Sequence, residues 1–311
     1  MKSEKTINQL ISEFLENLDV TELSRMHYRT NLNRWFRFCN LNKIDVRLPH
    51  RADVIMYKND LIAKGKSMCT VDAYLSAVRG FFSYLEEAGI YENIAAGIKS
   101  PMKYKGFRKS YLQPGEIVKV LEAMPRKTLS EIRDFAIVNM LIRTGCRRVE
   151  LIRMDVGDIF QTENGWAMRL QRKGHLEKDV TIGINGSIVE PIHEYLSLRQ
   201  SAKTDEPLFC NHSRYKGNDR LNIDYITRLV KSSFRSVGID DKRLTSHSLR
   251  HTAAITAIRS GANIQEVKEM LGHASLETTR IYFSAIEAES RLNSNAIQAI
   301  DRALNFAPKS G

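Results

Sequence analysis

Residues 132–150 read IRDFAIVNMLIRTGCRRVE, a strongly apolar helix pattern that runs from Ile132 to Ile142 and stops at Thr144-Gly145. A glycine directly after such a run ends the helix, because it takes up a left-handed terminal backbone without strain. Arg147 then projects from a tight turn; taken alone it reads first as a helix-terminal arginine capping carbonyls, and in the sharper reading Glu150 fixes its guanidinium by a two-pronged pair. Past this point the period changes. Trp166, Met168 and Leu170 alternate with polar neighbours, as do Val180 and Ile182, so the spacing predicts a β-hairpin whose basic turn is RKGHLEK, residues 172–178. Helices resume at about Ile188–Arg199, Tyr225–Val237, Leu249–Ser260 and Ile264–Leu271, and on the other side one opens at Gln113 with Pro114 in its first turn.

Upstream the pattern is helical throughout. Thr6 caps a helix with Ile7, Leu10, Ile11, Phe14, Leu15 and Leu18 on one face. A second helix, about Glu22–Leu41, carries Leu23, Met26, Leu32, Trp35, Phe36 and Cys39. A third spans about Ala52–Ala63 and stops at Gly65; a fourth, about Thr70–Glu87, ends at Gly89. The fold class is therefore mainly α with a small β-sheet. An all-α N-terminal domain (residues 1–98) precedes an α+β domain (residues 111–311). Between them lies KSPMKYKGFRKS, residues 99–110, with five basic and no acidic residues: Lys99, Lys103, Lys105, Arg108 and Lys109. Taken alone it reads first as a solvated linker; the sharper reading is a strap lying along phosphates, and composition does not separate the two.

The chain has 311 residues, 42% hydrophobic and 27% charged, which is enough apolar material for two cores and excludes a disordered chain. Gly at 17 and Pro at 7 exclude a collagen-like sequence. The four cysteines are dispersed without a Cys-x-x-Cys pair, so they read as reduced thiols of a cytoplasmic protein. The first residues, MKSEKTINQLISEFLENL, lack a continuous apolar core of a secretion signal, and no apolar stretch is long enough to span a membrane. A formal charge of +11 favours a polyanionic partner, nucleic acid first.

Four clusters could carry chemistry: Thr144–Glu150; Lys173 beside Gly174 at the hairpin tip; His247-Ser248-Leu249-Arg250-His251-Thr252 at a helix start; and Leu271-Gly272-His273 followed by Tyr282. His247 and Arg250, three apart, share the electropositive N-terminal face of a helix and suit a phosphate. His247 and His251 also have the spacing of a zinc pair, but no Glu stands between them and no third ligand is evident, so no metal is expected. His251 reads as a support of the fold. A nucleophilic Tyr282 demands cations close by, because a free tyrosine ionises only near pH 10. Singly, Lys173 reads as a surface lysine on a loop and Tyr282 as a partly buried, hydrogen-bonded aromatic; taken together, two arginines, a lysine, two histidines and a tyrosine are what metal-free phosphodiester transfer requires.

In order and wording these boxes resemble the tyrosine recombinases, or phage integrases. The resemblance rests on Thr144-Gly145-Cys146-Arg147-Arg148-Val149-Glu150, on Lys173 (with Arg172 where glycine is common), on His247-Ser248-Leu249-Arg250, on Leu271-Gly272-His273 and on Tyr282, and it spans nearly the whole chain. It implies a core-binding domain and a catalytic domain clamped around double-stranded DNA core sites. Tyr282 would form a 3′-phosphotyrosyl link; Arg147, Arg250 and His273 would hold the phosphate; His247 would serve acid–base chemistry and Lys173 would protonate the 5′ oxygen. Neither ATP nor a metal cofactor is needed. The resemblance further implies a homotetramer on DNA, a Holliday junction, exchange of the tail helix (Leu292, Ile297, Ile300, Leu304) between protomers, and accessory DNA-bending proteins as possible partners. Packing of that tail on its own domain is the alternative. The outcome would be integration, excision, inversion or resolution. Because the helical pattern starts almost at Met1, an Xer-like layout without a further arm-binding domain is expected. Two rivals stand beside this reading: a type IB topoisomerase-like relaxase and a non-catalytic DNA-binding regulator.

Overall fold

The computed structural model describes residues 5–100, 110–172, 175–199, 202–212 and 219–292, with 300, 303 and 304. It divides into two compact units, Met1–Tyr104 and Lys105–Gly311.

The first unit is built from α1 (Ile7–Glu16), α2 (Glu22–Leu41), α3 (Arg51–Ala63) and α4 (Met68–Glu87). Thr6 opens α1 through a reciprocal cap: its hydroxyl accepts from the Gln9 backbone N–H (3.3 Å) while its own N–H donates to the Gln9 side chain (2.8 Å). The core gathers Phe14, Leu32, Trp35, Tyr57, Phe81 and Phe82, each buried. Each such side chain contributes about 1.5–3 kcal/mol by leaving water. Leu23 and Met26 do not join it; they are 63% and 59% exposed, because the buried face of α2 begins only at Leu32. Helix α4 starts before Thr70, since the Ser67 hydroxyl accepts from the Thr70 N–H and caps it (3.1 Å). The far end of the unit is pinned. Arg79 pairs with Asp72 (3.1 Å) and donates to the Ile98 carbonyl (3.2 Å), and Ser100 hydrogen-bonds Asp72.

The second unit runs α5 (Pro114–Ala123), α6 (Leu129–Thr144), α7 (Arg148–Arg153), a 3-10 turn (Val156–Asp158), β1 (Ile159–Thr162), β2 (Gly165–Leu170), β3 (Val180–Ile184), α8 (Gly186–Arg199), α9 (Ile223–Arg235), α10 (Ser246–Arg259), α11 (Ile264–Leu271) and α12 (Leu276–Leu292). The three strands form an antiparallel sheet in the order β1-β2-β3, with Trp166 opposite Ile184 and Leu170 opposite Val180. Strand β1 goes beyond the two-stranded hairpin read from the sequence. Its four residues, Ile-Phe-Gln-Thr, are too few and too unevenly apolar to display a period of two. Helix α6 is buried around most of its circumference and is the axis of the unit's core. Among the described residues, no helix is long and apolar enough to cross a membrane.

Candidate active site

The site begins where α6 ends. Gly145 takes a left-handed backbone (φ 61°), and a Cβ there would lie 2.8 Å from Leu271 Cδ2 and 3.1 Å from Ala253 Cβ. Only glycine therefore lets the end of α6 pack this closely on α10 and α11. Two residues later Arg147 caps α7. Its backbone N–H donates to Glu150 Oε2 and its Nη1 to Oε1, both at 2.7 Å. This corrects the expected two-pronged pair. Glu150 is wholly buried and spends one oxygen on the guanidinium of Arg147 and the other on that residue's backbone. Capping geometry wins because the first N–H groups of α7 have no partner within the helix.

Arg250 enters from α10, which Thr245 caps. It is buried, and it donates through Nη1 to the Gly145 carbonyl (2.8 Å) and through Nη2 to the Leu271 carbonyl. Burial first, and then the nearby charge of Arg147, lower its pKa to about 10, so it stays charged at neutral pH. His247 lies exposed in the first turn of α10, its ring 4.8 Å from that of His251 and nearly perpendicular to it. Helix α11 ends at Gly272, again left-handed (φ 62°), and the chain turns to His273. The His273 imidazole is hydrogen-bonded to the Thr279 hydroxyl through Nδ1 (2.8 Å). Burial, with Arg250, Arg147 and Arg172 adding repulsion, pushes it down to about 4, so it is neutral at pH 7.

Tyr282 projects from α12. It is 3% exposed, its ring lies parallel to that of His273 at 6.2 Å, and its hydroxyl is 2.7 Å from His251 Nδ1. Burial raises its pKa, while Arg250 and Arg147 pull it back down. The structure thus brings Arg147, Arg250, His273 and Tyr282 into one electrostatic neighbourhood, with His247 at its edge.

Two residues enter this neighbourhood that the sequence reading did not place there. His251, read as a support of the fold, touches the phenol itself. Arg172, read as a neighbour of the hairpin lysine, is buried with its guanidinium on Glu150 and the end of α11. The signal for Arg172 was weak: a charged residue two positions past the last buried strand residue, Leu170. Thr252 has a separate task, accepting from the Leu112 N–H (3.0 Å) and so tying the start of the unit to α10. Arg148 reaches Thr227 on α9, and Cys146 is buried beneath the turn. Among the described residues, no group of three or more His, Cys, Asp or Glu side chains is placed to hold a metal. Lys173 lies outside the described residues, as do Lys103, Lys105, Arg108 and Lys109; Lys99 is described and exposed. The tail positions Ile297 and Leu292 are likewise without described side chains, while Ile300 and Leu304 are exposed.

Comparison with known proteins identifies the family. Residues 110–289 match the model of the phage integrase family, and residues 7–89 match the phage integrase N-terminal SAM-like domain. The tyrosine recombinase XerC of Thermodesulfovibrio yellowstonii is 29% identical over 286 residues, which covers 88% of this chain and 90% of that protein. The tyrosine recombinase XerA of Pyrococcus furiosus is 33% identical over 234 residues, 75% of this chain and 76% of that one. Two crystal structures share the fold. One is the XerH site-specific recombinase bound to difH substrate in a pre-cleavage complex (22% identity, TM-score 0.68, covering 90% of this chain and 81% of that one). The other is a lambda integrase dimer bound to a COC′ core site (15% identity, TM-score 0.69, covering 89% and 77%). With its second unit matched almost throughout and its helical first unit matched by the accompanying domain, the chain belongs to the phage integrase family of tyrosine recombinases.

Proposed function

We infer that this protein is a site-specific recombinase that breaks and rejoins duplex DNA at short core sites, with Tyr282 as nucleophile. The observation that carries the inference is the convergence on Tyr282 of two guanidiniums, Arg147 and Arg250, and a neutral imidazole, His273. The phenol oxygen attacks the scissile phosphorus, and the bond to the 5′ oxygen breaks with its electron pair. Arg147 and Arg250 neutralise the nonbridging oxygens as charge builds on the phosphorane. His273, uncharged, donates a hydrogen bond without adding to the local repulsion. His247, exposed at the head of α10, takes the proton that the phenol gives up, and Lys173 is assigned by resemblance to protonate the departing 5′ oxygen. The phosphotyrosyl link keeps the bond energy, so a 5′ hydroxyl of the partner strand can reverse the step without ATP.

A phenol that is 3% exposed does not meet a phosphate in the position described, so α12 must shift when DNA is bound. Four protomers on two core sites, passing through a Holliday junction with tail segments exchanged between neighbours, complete the proposal. Its setting is the cytoplasm, where chromosomal and mobile DNA are found. The basic stretch 99–110 is proposed to lie along backbone phosphates, where its five cations give a binding strength that falls with salt.

The test is a duplex carrying a candidate core site with a nick placed so that the released fragment bearing the free 5′ hydroxyl is lost. Denaturing electrophoresis is expected to show a covalent adduct, and peptide mapping to place it on Tyr282. Tyr282→Phe is expected to bind the duplex and give no adduct. Linkage at another residue would overturn the assignment, and recombination between two sites separates a recombinase from a relaxase.

A further inference from the structure

Arg172 is 4% exposed, yet it stands at the end of β2 on a chain with ample solvent-facing positions for an arginine. Its Nη1 donates to the Leu271 carbonyl (2.7 Å) and approaches Glu150 Oε2 (3.4 Å); its Nη2 approaches the Met270 carbonyl (3.4 Å). The guanidinium lies flat against Gly272: a Cβ on that glycine would fall 2.1 Å from Arg172 Cζ. The left-handed backbone at Gly272 is one that a side chain would strain, and the missing Cβ leaves the space that the Arg172 guanidinium fills. The Leu271 carbonyl accepts from Arg172 and Arg250 together, so two positive groups share one oxygen. Glu150 meanwhile serves Arg147 and Arg172. Nε of Arg172 is buried without a hydrogen-bond partner among the described residues. Concentrating like charge at this turn is a cost that stability alone does not require.

We propose that Arg172 is a positioning residue for strand cleavage: it clamps the last carbonyls of α11 to Glu150, and so fixes the turn bearing His273 against Arg147 and Arg250. The proposal rests on the reading of Tyr282 as nucleophile. It assigns Arg172 to none of the bonds made or broken. Its effect passes through three groups that face the phosphate, so it should appear in the maximal rate and not in DNA affinity. Misplacing such groups by about 1 Å lowers a rate by about 100-fold. The same clamp places a fixed positive charge beside His273, and that charge is one of the forces that keep the imidazole neutral.

The experiment compares wild type, Arg172→Gln and Arg172→Lys in two measurements. The first is the single-turnover rate of adduct formation on the nicked duplex at saturating protein, alongside the duplex dissociation constant. Arg172→Gln is expected to cut the rate by ten- to a hundred-fold with affinity within about twofold. Arg172→Lys keeps the charge and guards against a misfolded Gln variant. It too is expected to lose at least tenfold, because one ammonium cannot reach Glu150 and both carbonyls. A wild-type rate in either variant overturns the proposal, as does a loss confined to affinity. The second measurement is the NMR titration of His273 in the DNA-free proteins, assigned with His273→Asn. The imidazole should titrate at higher pH in Arg172→Gln and near its wild-type position in Arg172→Lys. An unmoved titration in Arg172→Gln overturns the proposal. If Tyr282→Phe forms as much adduct as wild type, the reading of Tyr282 falls instead, and the titration alone decides the clamp.

Discussion

The hydroxyl of Tyr282 and Nδ1 of His251 lie 2.7 Å apart, with ring centres separated by 5.6 Å, in a contact that ties α12 to α10. Both residues are buried, so the hydrogen bond replaces water that neither can reach in this position. A double-mutant cycle of His251→Ala and Tyr282→Phe, followed by urea denaturation, should show a favourable coupling of about 0.5–1.5 kcal/mol. Strict additivity would mean that the contact does not hold the phenol in place.

His273 makes stability depend on pH. Its folded pKa is about 4, chiefly because it is buried, against an ordinary value of 6.5. Between those values the unfolded chain binds a proton that the native protein refuses. The contribution is therefore complete above about pH 6.5 and is lost as the pH falls toward 4, by up to roughly 3 kcal/mol. Denaturation of wild type and His273→Asn at pH 7 and pH 4.5 measures it. The variant should lose less stability over that interval.

Glu150 is a buried carboxylate with Arg147 at 2.7 Å and Arg172 at 3.4 Å. Removing it strands two guanidiniums whose charges then oppose each other and that of Arg250. Glu150→Ala should cost about 3–5 kcal/mol, the range for breaking a buried ion pair by deleting one partner. Glu150→Gln keeps the shape, yet its amide presents a donor to a donor, so adduct formation should still fall by at least about tenfold while the protein remains folded. A melting curve and the nicked-duplex assay separate the two effects.

Much of this was legible from local chemistry. Thr6 before a periodic apolar run, Gly145 and Gly272 after such runs, and the alternation from Trp166 to Leu170 each act within a few residues, so α1, α6, α11 and β2 could be read directly. What escaped reading was decided by partners distant in sequence. Leu23 and Met26 match the helical period but stay exposed. Glu150 could be seen to pair with Arg147, but not that its second oxygen would cap α7, nor that Arg172 would approach from the sheet, 22 residues away in sequence. His251 looked structural because nothing in its own helix marks the phenol that approaches it from α12.

Gly145 offers a last test, because its substitution acts on the site without touching a charged group. Alanine there meets a φ of 61° and places its Cβ 2.8 Å from Leu271 Cδ2. A left-handed non-glycine residue costs about 1–2 kcal/mol, and overpacking adds about 1–3 kcal/mol, so Gly145→Ala should destabilise by about 2–5 kcal/mol. The Gly145 carbonyl also accepts from Arg250, so relief of the clash by backbone movement would shift that guanidinium and slow cleavage. Leu271→Ala removes the atom that the new Cβ strikes. The double variant should therefore be more stable than the sum of the two single losses predicts, by about 1 kcal/mol or more. Additive losses would show that the cost lies in the backbone of residue 145 and not in its close approach to α11.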